Sequence, residues 1–493
     1  MTEEISKRYK PISIKRNFTY KSLLTLSTYL MSLVTFPYVS RVLGVECIGL
    51  VNFIDNTISY FLLFSSLGIG LLGVREIASV KDNPKELSKV YSDLLGMNSF
   101  FSILTIIAYC ICIAFIPRFI EYSELFYIGI AKIVFTTFLV EWFFTGIEQF
   151  KYITIRSVIV KIVYVLLVFL LVDNPEDFFL YFMLTTGVVV VNSLIDITYV
   201  RHFVCIQWRE FIRFRFLKQN IILGIYTLMN SMYLTFNVMY LGLVSDNIQV
   251  GYYTTAYKFY MIILGIFSAF TQVMLPRMST LFSQGDLKNF HILVNKSFNI
   301  IFTFGIPLIL CGEILAPQII FILSGNGYEG AILPMRIIMP AILFVGVAQV
   351  LAIQILMPMK ADRFLLFASF FGAFFALILN ILIVPYLKGV GTGIVLVISE
   401  FVVTIFYIII LFYKRIVSFP FSLFVDNLFC SLPSVCMCLV CINYIVNPFL
   451  LFITASVSGA ICWLITAYYM KNEFVILLVK RLSLIHISEP TRP

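Results

Sequence analysis

The chain has 493 residues, 60% of them hydrophobic and 12% charged, with a formal net charge of +9. Soluble globular domains run nearer roughly 45–50% apolar and about 25% charged, and at a mean hydropathy of +0.98 this chain has too little polar surface to cover a water-soluble body of its size. A soluble enzyme, a secreted disulfide scaffold and a disordered chain are excluded; the composition leaves an all-α, polytopic membrane protein, each span needing about 20 apolar residues.

Residues 1–21 form a basic segment carrying Lys7, Arg8, Lys10, Lys15, Arg16 and Lys21. The first apolar run, Leu23 to Val39, is longer than a signal-peptide core and no small-residue cleavage site follows it. Fourteen spans are predicted: 22–40, 49–73, 94–116, 125–147, 155–172, 178–198, 220–243, 251–275, 296–323, 332–357, 364–386, 391–412, 424–446 and 449–470. Pro117, Pro175, Pro276, Pro358 and the turn Ser324-Gly325-Asn326-Gly327 punctuate them. With the N-terminus in the cytoplasm, the inner connections hold 27 Lys and Arg and the outer ones 3, namely Arg41, Arg118 and Lys388. That asymmetry predicts both termini inside. Every outer connection is short, so the function lies within the bilayer.

A 202-residue repeat divides the chain. Gly49 and Arg75 recur as Gly251 and Arg277, and the polar face Asn52, Asp55, Asn56 and Ser59 recurs as Thr254, Tyr257, Lys258 and Met261. The spacing i, i+3, i+4, i+7 is one face of a helix. The seventh span carries a stripe of Tyr226, Asn230, Tyr233, Asn237 and Tyr240; its counterpart in the first span includes Thr28, Thr35 and Tyr38. The predicted organisation is an N-lobe over 22–200, a basic interfacial elbow over 201–219, a C-lobe over 220–413 and two further helices over 424–470. Six spans per lobe make the repeats parallel, related by an axis along the membrane normal. The elbow interleaves Phe203, Trp208, Phe211, Phe214 and Phe216 with its basic residues, the composition of a segment lying on the inner leaflet. The last stretch, Leu482 to Pro493 (LSLIHISEPTRP), resembles an in-frame reading of a sequencing-library adapter and is set aside as non-native.

Polar stripes are costly against lipid, so Asn52, Asn56, Asn230, Tyr233, Asn237 and Tyr257 are expected to line a protein interior or a wet cavity. The bases Lys132, Lys161, Lys258 and Arg336 lie within spans and Arg41 at the end of one; all five are candidate ligands for an anionic substrate, since ammonium and guanidinium groups suit phosphate or diphosphate. Lys132, Lys161, Lys258 and Arg336 could equally snorkel to the headgroups, as could Asp196. Asp55, Glu141, Glu313 and Glu400 are candidates for a coupling cation or proton. Four bases against five acids within spans leave the sign of the lumen undecided by charge alone.

The ten cysteines sit mostly in apolar runs. Cys436, Cys438 and Cys441 are close in sequence but lack nearby His or carboxylate, which favours helix packing over a metal site. His202, His291 and His486 are outside the membrane core, and there is no phosphate-binding glycine loop, so ATP-driven pumping by this chain is not expected.

Several stretches resemble the polysaccharide flippases of the multidrug/oligosaccharidyl-lipid/polysaccharide exporter superfamily, the O-antigen and capsule repeat-unit translocases. They are Phe36-Pro37-Tyr38-Val39-Ser40-Arg41-Val42-Leu43-Gly44 followed by Gly49; Gly73-Val74-Arg75-Glu76-Ile77-Ala78; and Glu141-Trp142-Phe143-Phe144-Thr145-Gly146-Ile147-Glu148 running into Lys151-Tyr152-Ile153-Thr154-Ile155-Arg156. In the second half they are Gly251-Tyr252-Tyr253 with Ala256 and Lys258, then Leu275-Pro276-Arg277. The resemblance implies fourteen helices in a V-shaped pair of lobes and alternating access in a bacterial inner membrane. It implies an undecaprenyl-diphosphate-linked oligosaccharide as substrate. Arg41, Lys132 and Lys258 would meet the diphosphate, and Asp55 or Glu400 would take the ion; chemistry, rather than a family signature, places these roles. No cofactor beyond H+ or Na+ is expected. The expected partners are membrane lipids, a polysaccharide polymerase and a chain-length regulator, and no nucleic acid. The rivals are a drug or cation antiporter and a lipid II flippase of the same superfamily. A membrane glycosyltransferase or polysaccharide polymerase is disfavoured by the lack of a sizeable outer loop.

Overall fold

The computed structural model describes residues 14–211, 213–231, 235–413, 419–472 and 474–476. Among them the chain is helical with no strand, and eleven helices are long and apolar enough to cross a membrane. A bilayer imposes this, because each segment must satisfy its own backbone polar groups. Every predicted span has a helical counterpart. Helix Ile14–Ser66 runs through the first and second, Asp362–Tyr413 through the eleventh and twelfth, and the seventh is carried by Leu217–Ser231 and Thr235–Val244. Residues 1–13 of the basic N-terminal segment, the whole tail at 482–493 and Tyr233 lie outside the described residues.

The two double-length helices bend where a turn was predicted. Gly44 takes φ 73° and ψ 173°, a conformation that costs little without a Cβ. Lys388 takes φ 49° and ψ −127° after Pro385, and its ammonium lies 3.3 Å from Asp246. Elsewhere caps set the ends. Asn83 accepts hydrogen bonds from the Lys85 and Glu86 backbone N–H groups, and Pro84 opens the helix Pro84–Phe115. The predicted span 94–116 starts later because hydropathy marks only the part of that helix suited to hydrocarbon. The span predicted at 125–147 divides into Ser123–Phe138 and Glu141–Gly146; that at 296–323 divides at Leu315, beside Pro317; that at 332–357 ends in a π-helix, Val350–Leu356.

The chain forms two compact units, Met1–Thr254 with Ala376–Lys388, and Thr255–Phe375 with Gly389–Pro493. In the first, Ile69–Val80 packs on Glu141–Gly146 at two glycines: a Cβ on Gly73 would strike the Trp142 ring, and one on Gly146 would strike Ile77. Tyr91 stacks on Trp142 with centroids 5.8 Å apart. The elbow is bonded to Pro84–Phe115. Ser92 Oγ accepts from Gln207 N–H at 2.8 Å, and the Asp93 carboxylate accepts from Arg215 N–H at 3.1 Å. Phe203 is buried in this core, whereas Trp208 is 75% exposed.

In the second unit, Phe421–Tyr444 and Pro448–Tyr469 form a hairpin. Ser434 Oγ donates to the Gly459 carbonyl at 2.8 Å, the close approach that small residues permit between membrane helices. Cys430, Cys438 and Cys441 are buried in it. Its first helix also packs against Leu287–Ile314 through amides described below.

Candidate functional site

Helix Ile14–Ser66 presents Asn52, Asp55 and Asn56 on one face, and Ser123–Phe138 brings Lys132 against it. Lys132 and Asp55 form an ion pair in which the lysine is 11% and the aspartate 38% exposed. Asn52 and Asn56 turn their amide N–H groups onto the carbonyls one turn back, of Ile48 and Asn52, each at 2.8 Å. Tyr164 and Tyr181 lie near each other and near Asp55. Lys161 Nζ donates to Thr28 Oγ1 at 2.6 Å, and Arg41 Nη1 donates to the Pro37 carbonyl at 2.5 Å. The buried Asn237 accepts from Asn380 Nδ2 at 2.6 Å. Asn230 lies in Leu217–Ser231 with its side chain outside those described.

A second charged group of this unit lies around Arg156. One guanidinium nitrogen bonds Asp196 and the other Glu141. Arg156 is 2% exposed and Asp196 fully buried, and Tyr152 donates its hydroxyl to Asp196 at 2.9 Å. Glu141, one of the candidates for an ion, is thus engaged by an arginine that charge counting places in an inner connection. Asp196 is enclosed rather than reaching headgroups. A cavity of about 480 Å³ adjoins the group, with Tyr152, Arg156 and Tyr199 in its wall. Outside the membrane segments, Lys81 Nζ lies 2.7 Å from Glu148; that hydrogen bond holds the ammonium above its usual pKa.

In the second unit, Arg336 Nε donates to the Glu313 carbonyl at 3.0 Å. Lys258 and Tyr257 are half-buried on Asn247–Ser283, the Tyr257 ring centroid 5.5 Å from that of Tyr260. Glu400 is 6% exposed and makes no ion pair among the described residues. One turn on, Thr404 Oγ1 donates to the Phe344 carbonyl at 2.9 Å, fixing Glu400 beside Ala341–Gln349. Among the described residues no three His, Cys, Asp or Glu side chains are placed to hold a metal.

A family model described as polysaccharide biosynthesis protein matches residues 14–282, more than half of the chain. The chain belongs to this family. It is 23% identical over 397 residues to the protein named "Putative O-antigen transporter" of Escherichia coli (strain K12), covering 80% of this chain and 95% of that one. A Shigella dysenteriae protein of the same name is 23% identical over 404 residues, covering 80% and 98%. Among solved structures, a lipid II flippase MurJ in an inward closed conformation superposes with TM-score 0.77 at 16% identity, covering 92% of this chain and 99% of that one. An inward-facing multidrug resistance MATE family transporter of the MOP superfamily gives 0.57 at 16%, covering 80% and 98%. These two likenesses establish the fold.

The polysaccharide biosynthesis match contains Asp55, Lys132, Arg156 and Asp196, while Glu313, Arg336 and Glu400 lie beyond it. Two of the segments that carried the resemblance, 73–78 and 141–148, are the pair joined at Gly73–Trp142 and Gly146–Ile77. The sequence reading missed the Arg156 group as a unit, though one signal was available: a base near the start of one span and an acid near the end of the next are each costly in lipid unless partnered.

Proposed function

We propose that this chain translocates undecaprenyl-diphosphate-linked oligosaccharide repeat units across the bacterial inner membrane by alternating access, acting as a transporter rather than an enzyme. The observation that carries this reading is the Asp55–Lys132 pair, charged groups held on membrane-crossing helices of a polysaccharide biosynthesis family member. Intramembrane charge is retained where it serves a substrate or ion path. The likeness to proteins named as O-antigen transporters supports the substrate class.

In this proposal Arg41, Lys132, Lys161, Lys258 and Arg336 serve the diphosphate as it passes. Glu400, buried without an ion-pair partner among the described residues, is the preferred site for a coupling proton or Na+; Asp55 and Glu313 are secondary. Both termini are cytoplasmic, following the 27 to 3 distribution of basic residues. A polysaccharide polymerase and a chain-length regulator are the expected neighbours of the translocated product.

The test is reconstitution into vesicles with a fluorescent lipid-diphosphate oligosaccharide, with Na+ or H+ gradients imposed separately. Protein-dependent exposure of the sugar on the far leaflet, accelerated by one gradient, is the expected result. Movement of lipid II instead would transfer the reading to peptidoglycan precursors. No movement of either lipid would refute the proposal.

A further inference from the structure

The second unit holds a cavity of about 760 Å³ where Leu287–Ile314, the start of Phe421–Tyr444 and the end of Pro448–Tyr469 converge. Nothing in the translocation reading uses it. Its inner wall includes three linked amides, Asn299 and Asn427 buried and Asn472 half-buried: Asn427 Nδ2 donates to Asn299 Oδ1 at 3.1 Å, and Asn472 Nδ2 donates to Asn427 Oδ1 at 3.0 Å. Thr303 Oγ1 completes the set, donating to Asn427 Oδ1 at 2.9 Å. This network fixes the chain end of the hairpin against Leu287–Ile314.

The charged lining is Lys296, Lys471 and Asp426. All three are exposed, and none makes an ion pair among the described residues. Lys471 holds φ 57°, a conformation that glycine or asparagine adopts more cheaply at a helix end. The helix therefore stops on a strained lysine whose neighbour, Asn472, is anchored in the cavity wall. Beside these polar groups, Phe421 is 65% and Met470 50% exposed.

A space of this size suits an organic ligand better than a bare ion. Two ammonium groups match a phosphate, the carboxylate of Asp426 can accept from a hydroxyl, and the apolar edge can receive an acyl chain. We infer that this cavity binds a phosphate carrying hydroxyl groups, as in the glycerol headgroup of phosphatidylglycerol, at the inner-leaflet end of these helices. Inorganic phosphate shares the anionic chemistry, and the experiment separates the two sources.

Full-length protein in detergent is titrated with phosphatidylglycerol, phosphatidylcholine or inorganic phosphate. Bound lipid is counted by native mass spectrometry and stability read by thermal melting. Phosphatidylglycerol should bind at least about tenfold more tightly than phosphatidylcholine, whose choline cation offsets its phosphate beside two ammonium groups and which lacks the hydroxyls that Asp426 can bond. The preference should vanish in Lys296→Gln/Lys471→Gln and persist in the double arginine variant. If the double glutamine variant fails to fold, single Lys296→Gln supplies the comparison. Lysine-dependent stabilisation by inorganic phosphate without a phosphatidylglycerol preference would support the anion site and assign it a soluble ligand. Equal binding of both lipids without a phosphate effect, or a preference indifferent to the lysines, overturns the inference.

Discussion

Gly49 and Gly251 meet backbone to backbone. A Cβ on Gly49 would lie 2.8 Å from the Gly251 nitrogen and run into the Asn247 carbonyl, and one on Gly251 would run into Val45. The two glycines that mark the sequence repeat are therefore contact partners in one compact unit, and their lack of side chains lets Ile14–Ser66 and the start of Asn247–Ser283 touch. Such close approach is how membrane helices gain dispersion energy without a hydrophobic drive between them.

Gly251→Leu should disrupt that crossing. Overpacking of a tight contact costs about 1–3 kcal/mol, so the purified variant should melt several degrees below the parent. An unchanged melting temperature would show that the crossing is looser than the structure has it.

Asp55 and Lys132 can be separated into structural and functional parts by exchange. Asp55→Asn or Lys132→Gln should each remove surface polysaccharide in a host lacking its own O-antigen transporter. The double exchange, Asp55→Lys with Lys132→Asp, should recover protein abundance through the restored pair but not transport, because the positions of the charges are reversed. Full transport by the exchanged protein would reduce the pair to a helix staple.

Arg41 and Lys258 should behave differently from a structural pair. Arg41→Gln and Lys258→Gln should abolish surface polysaccharide with protein levels within about twofold of the parent, a window that corresponds to little change in folding free energy. Normal polysaccharide in both variants would remove them from the substrate path.

Arg156 is predicted to be structural. Replacing it with leucine leaves Asp196 buried and unpaired, a change that costs about 3–5 kcal/mol, so folded protein should be lost. Arg156→Lys should rescue poorly, since one ammonium cannot reproduce a planar fork directed at two carboxylates. Immunoblotting of membrane fractions and melting of the surviving protein check both outcomes.

Lys81 and Glu148 offer a pH test. The Lys81 pKa is raised in the fold, so its stabilising contribution is present below the ordinary lysine value of 10.5 and is lost as pH rises through the folded value. Glu148→Gln should lower stability by no more than about 1 kcal/mol at pH 8, the range of partly exposed ion pairs. The difference should disappear at alkaline pH. A deficit that persists there would assign Glu148 a role beyond this pair.

The spans were legible because each is a local property: an apolar run long enough to cross must be helical. The ends were less so. Pro84–Phe115 begins at its Asn83 cap, which hydropathy does not register, and Gly44 bends a helix where a loop was expected. The polar face Asn52, Asp55 and Asn56 could be read from spacing. Its partner Lys132 could not, because the two are joined across 77 positions. Arg156 with Asp196 failed for the same reason, and charge counting reinforced the error by treating any base near a helix end as solvated.

By itself the sequence determined the membrane environment, the helical class and the set of charges too expensive to leave facing lipid, since composition and periodicity act within a single segment. Only the tertiary structure decided which charges neutralise one another, which amides bind the hairpin Phe421–Tyr469 to Leu287–Ile314, and which lysines remain at a cavity. Those outcomes depend on distances between segments far apart in the chain, and a Coulomb or hydrogen-bond energy is set by spatial distance, geometry and surroundings, whatever the separation in sequence.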